Sequence, residues 1–127
     1  MKVLIVDDHP VMRMGVRALV RQIWADAEVR DAETLAQAVE ALGDDLYDLV
    51  VIDLQLPDAD GLEAPRCIKP LAHGASLFVL SSTVDSACVA EVLRMGVAGF
   101  ITKDQAPHVL RAALRRVRPS NRPVPRA

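Results

Sequence analysis

The chain has 127 residues, a length that suits one compact domain and is short for two. Hydrophobic residues make up 51% of it and charged residues 25%, which excludes global disorder, and no apolar run approaches the length of a membrane span. Six of the fifteen basic residues lie after residue 110, where no acid occurs, so the remaining body is acidic and a poor direct binder of nucleic acid.

The start of the chain and its two cysteines predict a cytoplasmic protein. Met1 and Lys2 lead directly into a strand-like run, without the features of a secretory signal. Cys67 and Cys88 lack the spacing of a metal site, and we expect them to be small buried hydrophobes rather than a disulfide.

The first half of the chain predicts two βα units and the strand of a third. Apolar runs at 3–6 and 49–52 are typical of strands buried on both faces, and 27–31 is a weaker strand candidate. Pro10 suits the first turn of a helix, and Thr34 can cap a second helix that runs to Gly43. The predicted apolar stripe of the first helix consists of Val11, Met14, Val16, Leu19, Val20 and Ile23.

The second half continues the alternation. A third helix is expected within 61–73, with Pro65 tolerable only in its first turn and Pro70 ending or bending it. A strand at 77–80, a helix at 84–95 and a short strand at 99–102 follow. Asp104 is predicted to cap the last helix, whose apolar stripe is Val109, Leu110, Ala113, Leu114 and Val117.

Five βα units of this kind predict an α/β fold, a doubly wound parallel sheet with helices on both faces. In such a sheet all the carboxyl ends of the strands lie at one edge, where side chains from distant stretches meet. Strands one, three, four and five are each followed by polar residues, namely Asp7, Asp8, Asp53, Ser81, Ser82 and Lys103.

This residue set indicates phosphoryl transfer to an aspartate. Oxygen ligands on a rigid edge suit Mg²⁺, which bridges carboxylates to phosphate, and a carboxylate can attack a phosphoryl group. Lys103 would offset the charge of the phosphoryl oxygens and a serine hydroxyl would donate a hydrogen bond to one of them. These arguments leave open which aspartate is the acceptor.

Four stretches in order carry a family resemblance: DDHP after strand one, VVIDLQLPDADGLEA, VLSS and GVAGFITKD. Together they resemble the receiver domain of two-component response regulators, most closely the subfamily with a C-terminal helix-turn-helix of the LuxR type (NarL/FixJ-like). The resemblance implies a flavodoxin-like (βα)5 sheet of strand order 2-1-3-4-5. It predicts a receiver domain at 1–118 and an Arg/Pro-rich tail or linker at 119–127.

The resemblance also implies the cation site and the acceptor. Asp53 matches the phosphoacceptor, and it would share Mg²⁺, or Mn²⁺ in its place, with Asp8. The backbone carbonyl of Gln55 would complete the site, and Asp7 would act through water.

Four further positions match the phosphate-binding and switch residues. Ser81 matches the switch hydroxyl and Ser82 the small neighbour that leaves room for phosphate. Lys103 matches the family lysine, and Phe100 the aromatic that turns inward on phosphorylation.

The family's partners follow from the same resemblance. A sensor histidine kinase would donate the phosphoryl group, the surface of helix 4, strand 5 and helix 5 would change, and homodimerisation there is a hypothesis. DNA would be reached only through an effector domain that these residues do not contain, or else the protein is a stand-alone receiver acting through protein contacts. No membrane partner is implied, and no enzyme activity beyond the domain's own phosphorylation and dephosphorylation.

Three other readings compete with the receiver. An aspartyl phosphatase usually has a second acid two residues after its nucleophile. Gln55 occupies that position here, which argues against this class. A nucleotide or flavin binder would want a Gly-rich loop after the first strand, where Asp7 and Asp8 repel phosphate. A receiver-like module that is never phosphorylated is disfavoured, because every acceptor-site residue is present. His9 is expected to be a loop residue.

Overall fold

The computed structural model describes residues 1–82, 85–105 and 107–117. Within these ranges, strands and helices alternate along the chain. The elements are β1 (Lys2–Val6), α1 (Pro10–Ile23), β2 (Glu28–Ala32), α2 (Leu35–Asp44), β3 (Leu49–Asp53), α3 (Glu63–Leu71), β4 (Ser76–Ser81), α4 (Ser86–Arg94), β5 (Gly99–Thr102) and α5 (His108–Leu114).

The strands form one parallel sheet in the order β2-β1-β3-β4-β5, which confirms the predicted fold class and strand order. β3 lies at the centre, and all five of its residues are buried. A strand at the centre of the sheet is covered on both faces, so neither face needs polar residues. The continuous apolar run of Leu49 to Ile52 suits this position, and all four residues are buried. Asp53 therefore emerges at the middle of the carboxyl edge.

Each face of the sheet has its own core, and alternate strand residues contribute to opposite cores. Leu4 and Val6 of β1 pack with residues of α2, α3 and α4, whereas Val3 and Ile5 pack with residues of α1 and α5. The period of two along each strand thus assigns the helices to two layers around the sheet.

The predicted apolar stripe of α1 is wrong at two positions. Val11 is 82% exposed and Met14 is 69% exposed. The buried face is defined by Val16 and its helical neighbours Leu19 and Val20, and Met12, four residues before Val16, occupies the next position on that face. With 3.6 residues per turn, positions 11 and 14 point away from it.

Of the helix caps predicted at Thr34 and Asp104, one is confirmed and the other is wrong. Thr34 caps α2 as predicted, since its side chain accepts a hydrogen bond from the Gln37 N–H at 3.1 Å. Asp104 does not cap α5, which begins at His108 after Pro107 and has no side-chain cap. Asp104 lies four residues before the first helical residue, too far back for its carboxylate to act at the N-cap position. β2 is displaced by one residue from the predicted range.

The two prolines of α3 sit as expected. Pro65 is the third helical residue, within the first turn where no intrahelical N–H bond is lost, and the helix ends at Leu71, directly after Pro70.

α4 is capped by Asp85, whose carboxylate accepts from the Ala87 N–H at 3.0 Å. The predicted start of this helix at residue 84 and the predicted tail at 119–127 lie outside the described residues. Among the helices described, none combines the length and apolar character needed to cross a membrane.

Gly99 of β5 gives a test of packing between neighbouring strands. A Cβ at this position would lie 2.9 Å from Cε1 of the Phe78 ring, which is itself buried in β4. Because the ring has little room to move, we expect Gly99→Ala to lower the free energy of unfolding by ~1–3 kcal/mol in urea denaturation. Gly15→Ala is the control, because nothing lies within 4 Å and alanine favours the helix, so its stability should be equal or higher. Equal stability of the two variants would contradict this packing.

Candidate functional site

The carboxyl edge of the sheet brings together side chains from three strand ends. Lys103, directly after β5, places its Nζ 3.0 Å from Oδ2 of Asp53 and 3.3 Å from Oδ2 of Asp7. The backbone supports this arrangement, because the Lys103 N–H donates to the carbonyl of Ser81 at 2.8 Å. Residues 7, 53 and 103 meet because parallel pairing aligns the ends of β1, β3 and β5.

Asp53 is completely buried at 0% exposure. Its Oδ1 accepts a hydrogen bond from the Gln55 N–H at 3.1 Å, and its Oδ2 accepts one from Lys103. Burial raises the pKa of the Asp53 carboxyl above its ordinary value, and the nearby charge of Asp7 raises it further. The Gln55 N–H and the Lys103 ammonium oppose this rise in pKa.

His9 completes the cluster, although the sequence interpretation placed it in a loop without a role. Its Nδ1 lies 2.7 Å from Oδ1 of Asp7, 3.2 Å from Oδ1 of Asp8 and 3.5 Å from Oδ2 of Asp53. The same atom lies 3.1 Å from Nζ of Lys103, a residue 94 positions away in sequence. The available sequence signal was its position directly after the acidic pair, which does not specify where the ring points.

A polar cleft of about 530 Å³ opens beside this cluster. Ser81 lines it while remaining almost fully buried, and Gln55 lines it from the loop after β3. Ser82 is exposed, and its hydroxyl donates to Oε1 of Gln55 at 2.6 Å. Phe100 is elsewhere: it is half-buried in β5, pairs in register with Val79, and packs against the core that faces α2, α3 and α4.

The donor set fits a divalent cation. Asp7, Asp8, His9 and Asp53 each offer a ligand atom, and these atoms all lie within 4.8 Å of one another. Oδ2 of buried Asp7 has no hydrogen-bond partner within the described parts of the chain, although it is paired with the Lys103 ammonium. Carboxylate oxygens held this close suit Mg²⁺ and carry mutual repulsion that a cation relieves.

The loop after Asp53 is attached to α2 through Asp58. The two carboxylate oxygens of Asp58 accept hydrogen bonds from the first two N–H groups of that helix, Leu35 at 2.7 Å and Ala36 at 3.0 Å. These two bonds lower the pKa of the Asp58 carboxyl. A carboxylate at this position also interacts favourably with the helix dipole, so the loop beside the site has a defined anchor.

A five-stranded parallel sheet of this order, with an acidic cluster and a lysine at its carboxyl edge, defines the receiver class of α/β domains. Residues 3–115 match the family model for the response regulator receiver domain, and the chain belongs to that family. The resemblance seen in the sequence is thereby confirmed.

Similar proteins include a transcriptional activator and a response regulator. The chain is 32% identical over 117 residues to the transcriptional activator protein ExaE of Pseudomonas putida, covering 92% of this chain and 55% of that protein. It is 31% identical over 115 residues to the response regulator UvrY of Escherichia coli K12, covering 91% of this chain and 53% of that protein. The chain therefore spans about half the length of the curated relatives it matches.

A solved structure shares the fold and part of the sequence. RcsB from Salmonella enterica serovar Typhimurium, bound to promoter rprA in the presence of the phosphomimetic BeF3⁻, aligns with a TM-score of 0.79 and 30% identity. The alignment covers 90% of this chain and 95% of that one. Homologues of this family thus include regulators that act on DNA.

The Asp58 anchor predicts a pH-dependent contribution to stability. The pKa of Asp58 is lower in the folded state than its ordinary value of 3.8. The Asp58 carboxylate therefore stabilises the folded protein fully above pH 3.8, and this contribution is lost as the pH falls through the lower folded-state pKa. We expect Asp58→Asn, which keeps one acceptor and loses the charge, to lower the Tm by a few degrees at pH 7 and by progressively less below pH 4.

Asp60→Asn is the matched control for this measurement. Asp60 is exposed in the same loop, and its carboxylate takes part in none of the hydrogen bonds found among the described residues. Thermal unfolding followed by circular dichroism from pH 3 to pH 7 compares the two. A Tm difference for Asp58→Asn that stays constant across this range would contradict the assignment.

Proposed function

We propose that Asp53 accepts a phosphoryl group from the phosphohistidine of a sensor histidine kinase, and that the new charge switches an output surface. The observation that carries this proposal is the contact between buried Asp53 Oδ2 and Lys103 Nζ at 3.0 Å. Burying an acid at this depth beside a second carboxylate costs free energy, which the paired ammonium offsets only in part, and such a cost is typical of a functional site. Membership in the receiver family, in which phosphorylation by a histidine kinase is general, supports the assignment.

The chemistry needs one bond to form and one to break. A carboxylate oxygen of Asp53 attacks phosphorus, and the bond from phosphorus to the imidazole nitrogen of the kinase breaks with its electron pair returning to that nitrogen. Lys103 stays beside the acceptor and offsets the charge of the transferred oxygens. The Ser81 hydroxyl, which lines the cleft, donates a hydrogen bond to one of those oxygens, and the small Ser82 leaves space for them.

The cation belongs to the same proposal. Asp8, Asp53 and the backbone carbonyl of Gln55 would hold Mg²⁺ or Mn²⁺ directly, and Asp7 would hold it through water. When bound, the cation neutralises charge on the carboxylates and the phosphoryl oxygens. Asp8 is the exposed member of this set, while Asp7 and Asp53 are buried.

Phosphorylation requires a rearrangement at Asp53. The side chain has no exposed surface, and Lys103 and the loop residue Gln55 both contact it. An incoming phosphoryl group therefore displaces these contacts, and Lys103 exchanges a carboxylate oxygen for a phosphoryl oxygen. The change is local, but it involves the ends of β3 and β5 together.

The output is the surface of α4, β5 and α5. Lys103 and Ser81 join the ends of β5 and β4 through their 2.8 Å backbone bond, and Phe100 lies three residues before Lys103. Movement of Ser81 towards a phosphoryl oxygen opens space into which the Phe100 ring turns; without a hydroxyl, the ring acts by packing alone. We place this switch in the cytoplasm, where it controls transcription through a DNA-binding domain beyond these residues or, alternatively, acts as a stand-alone receiver.

Acetyl phosphate with Mg²⁺ tests the acceptor directly. Wild-type protein is expected to gain the mass of one labile phosphoryl group, and Asp53→Asn none, because the amide lacks a nucleophilic oxygen at neutral pH. Asp26→Asn, an exposed substitution outside the cluster, should behave as wild type. Intact-mass spectrometry reads the result; no gain in the wild type, or equal gain in Asp53→Asn, would contradict the assignment.

Beryllofluoride with Mg²⁺ tests the output surface. If the α4–β5–α5 surface supports a homodimer in the phosphorylated state, light scattering should show a rise in solution mass when this phosphate mimic is added. Substituting Leu93, which is 49% exposed on α4, by Glu should weaken that rise, because a charge would enter the interface. Val11→Glu on α1, an apolar residue that is 82% exposed and lies outside this surface, is the control and should leave it unchanged. An unchanged monomer mass in the wild type would remove this part of the proposal.

A further inference from the structure

We propose that His9 is a nitrogen ligand of the cation site, which makes the site select Co²⁺ and Ni²⁺ over Mg²⁺. This inference deepens the proposed function, because it concerns the cation site beside Asp53 on which that function rests. Neither the family match nor the relatives assign a role to this imidazole.

The position of Nδ1 matches that of a ligand in a shared coordination shell. It lies 2.7, 3.2 and 3.5 Å from oxygens of Asp7, Asp8 and Asp53, respectively. For metal–ligand bonds of about 2.1 Å, adjacent ligands of an octahedral ion are separated by about 3.0 Å, and those of a tetrahedral ion by about 3.4 Å. The separations from Asp8 and Asp53 are close to these values, whereas the 2.7 Å contact with Asp7 is a hydrogen bond that a bound metal would replace.

Asp7 provides independent support for a cation at this point. Its side chain is 2% exposed, and its Oδ2 has no hydrogen-bond partner in the part of the chain that the structure describes. Its contact there is the ion pair with Lys103 at 3.3 Å, so the oxygen faces into the cluster. A buried carboxylate oxygen of this kind carries a large desolvation cost, which a bound cation offsets.

The backbone holds His9 in this position without using its side chain. His9 is the N-cap residue of α1, but its side chain makes no capping hydrogen bond. Its N–H donates to Oδ1 of Asp7 at 2.9 Å, and Pro10 sets the first turn of the helix behind it. The ring is thus directed to the cluster, where Nδ1 contacts Asp7 Oδ1 at 2.7 Å and Lys103 Nζ at 3.1 Å, and a cation bound to Nδ1 would replace these two contacts.

The added nitrogen changes which metals the site prefers. Mg²⁺ takes oxygen ligands and keeps several waters, so an imidazole contributes little to its binding. Imidazole suits first-row transition metals, and Co²⁺ and Ni²⁺ gain affinity from nitrogen donors. A site with an imidazole beside its carboxylates should therefore bind these ions more tightly than an oxygen-only site does.

His9→Asn is the informative substitution. Asparagine is among the favoured N-cap residues, so α1 should remain intact, and its side-chain oxygen preserves a donor that Mg²⁺ accepts. Calorimetric titration of the full chain with MgCl₂, CoCl₂ or NiCl₂, without any phosphodonor, measures the affinities. We expect the Kd for Co²⁺ and Ni²⁺ to rise roughly tenfold or more in His9→Asn, while the Kd for Mg²⁺ stays within about threefold.

His108→Asn is the matched control, since His108 is exposed at the start of α5 and belongs to no metal-ligand group among the described residues. Its Co²⁺ affinity should equal that of the wild type. The visible absorption of bound Co²⁺ gives a second measure, because loss of a nitrogen ligand shifts the bands in His9→Asn and not in His108→Asn. Unchanged Co²⁺ affinity and spectrum, an equal loss for Mg²⁺, or tighter binding of all three ions would overturn the proposal.

These measurements separate the inference from the proposed function. If the wild type takes no phosphoryl group from acetyl phosphate while His9→Asn loses Co²⁺ affinity, the acceptor assignment fails and the His9 ligand stands. If Asp53 is phosphorylated and His9→Asn binds Co²⁺ as the wild type does, the acceptor assignment stands and the His9 ligand proposal fails.

Discussion

The structure of the site depends on one electrostatic constraint, the pairing of Lys103 with the buried carboxylates of Asp53 and Asp7. Two acids removed from water at adjacent strand ends would repel each other, and the pKa of Asp53 is raised by its burial. The ammonium of Lys103 holds the ends of β1, β3 and β5 together at one point. The same pairing opposes the rise in the pKa of Asp53, and under the proposed function it is the contact that a phosphoryl group would replace.

The neighbouring strands and the loop after β3 hold the residues of this pairing in place. β3 is buried throughout, so the backbone that carries Asp53 is held between β1 and β4. The loop that follows is attached by Asp58 to the first N–H groups of α2. Ser81 and Lys103 are linked through the β4–β5 pairing, which continues to Phe100. Asp53 is therefore held by neighbouring strands and an anchored loop, and Lys103 connects it to β5.

Most of the fold was predictable because its signals are local. Apolar β-branched runs identify buried strands, Thr34 identifies a helix start, and the residues after each strand identify the reactive edge. Errors arose where a local signal was ambiguous. Val11 and Met14 are apolar residues of α1, yet the angle between them and Val16 turns them to the surface. Asp104 has the chemistry of a cap, but α5 begins four residues later.

The sequence by itself determined the class of this protein: a five-unit α/β receiver whose acids, serines and lysine follow its strands. The direction of individual side chains was decided by tertiary structure alone. His9 could have pointed to solvent or to the cluster, and its contact with Lys103 joins residues 94 positions apart. Asp58 meets the start of α2 across 23 positions. Such contacts depend on how separate elements pack, and no local pattern of residue types encodes the angle at which a ring or a carboxylate meets a distant neighbour.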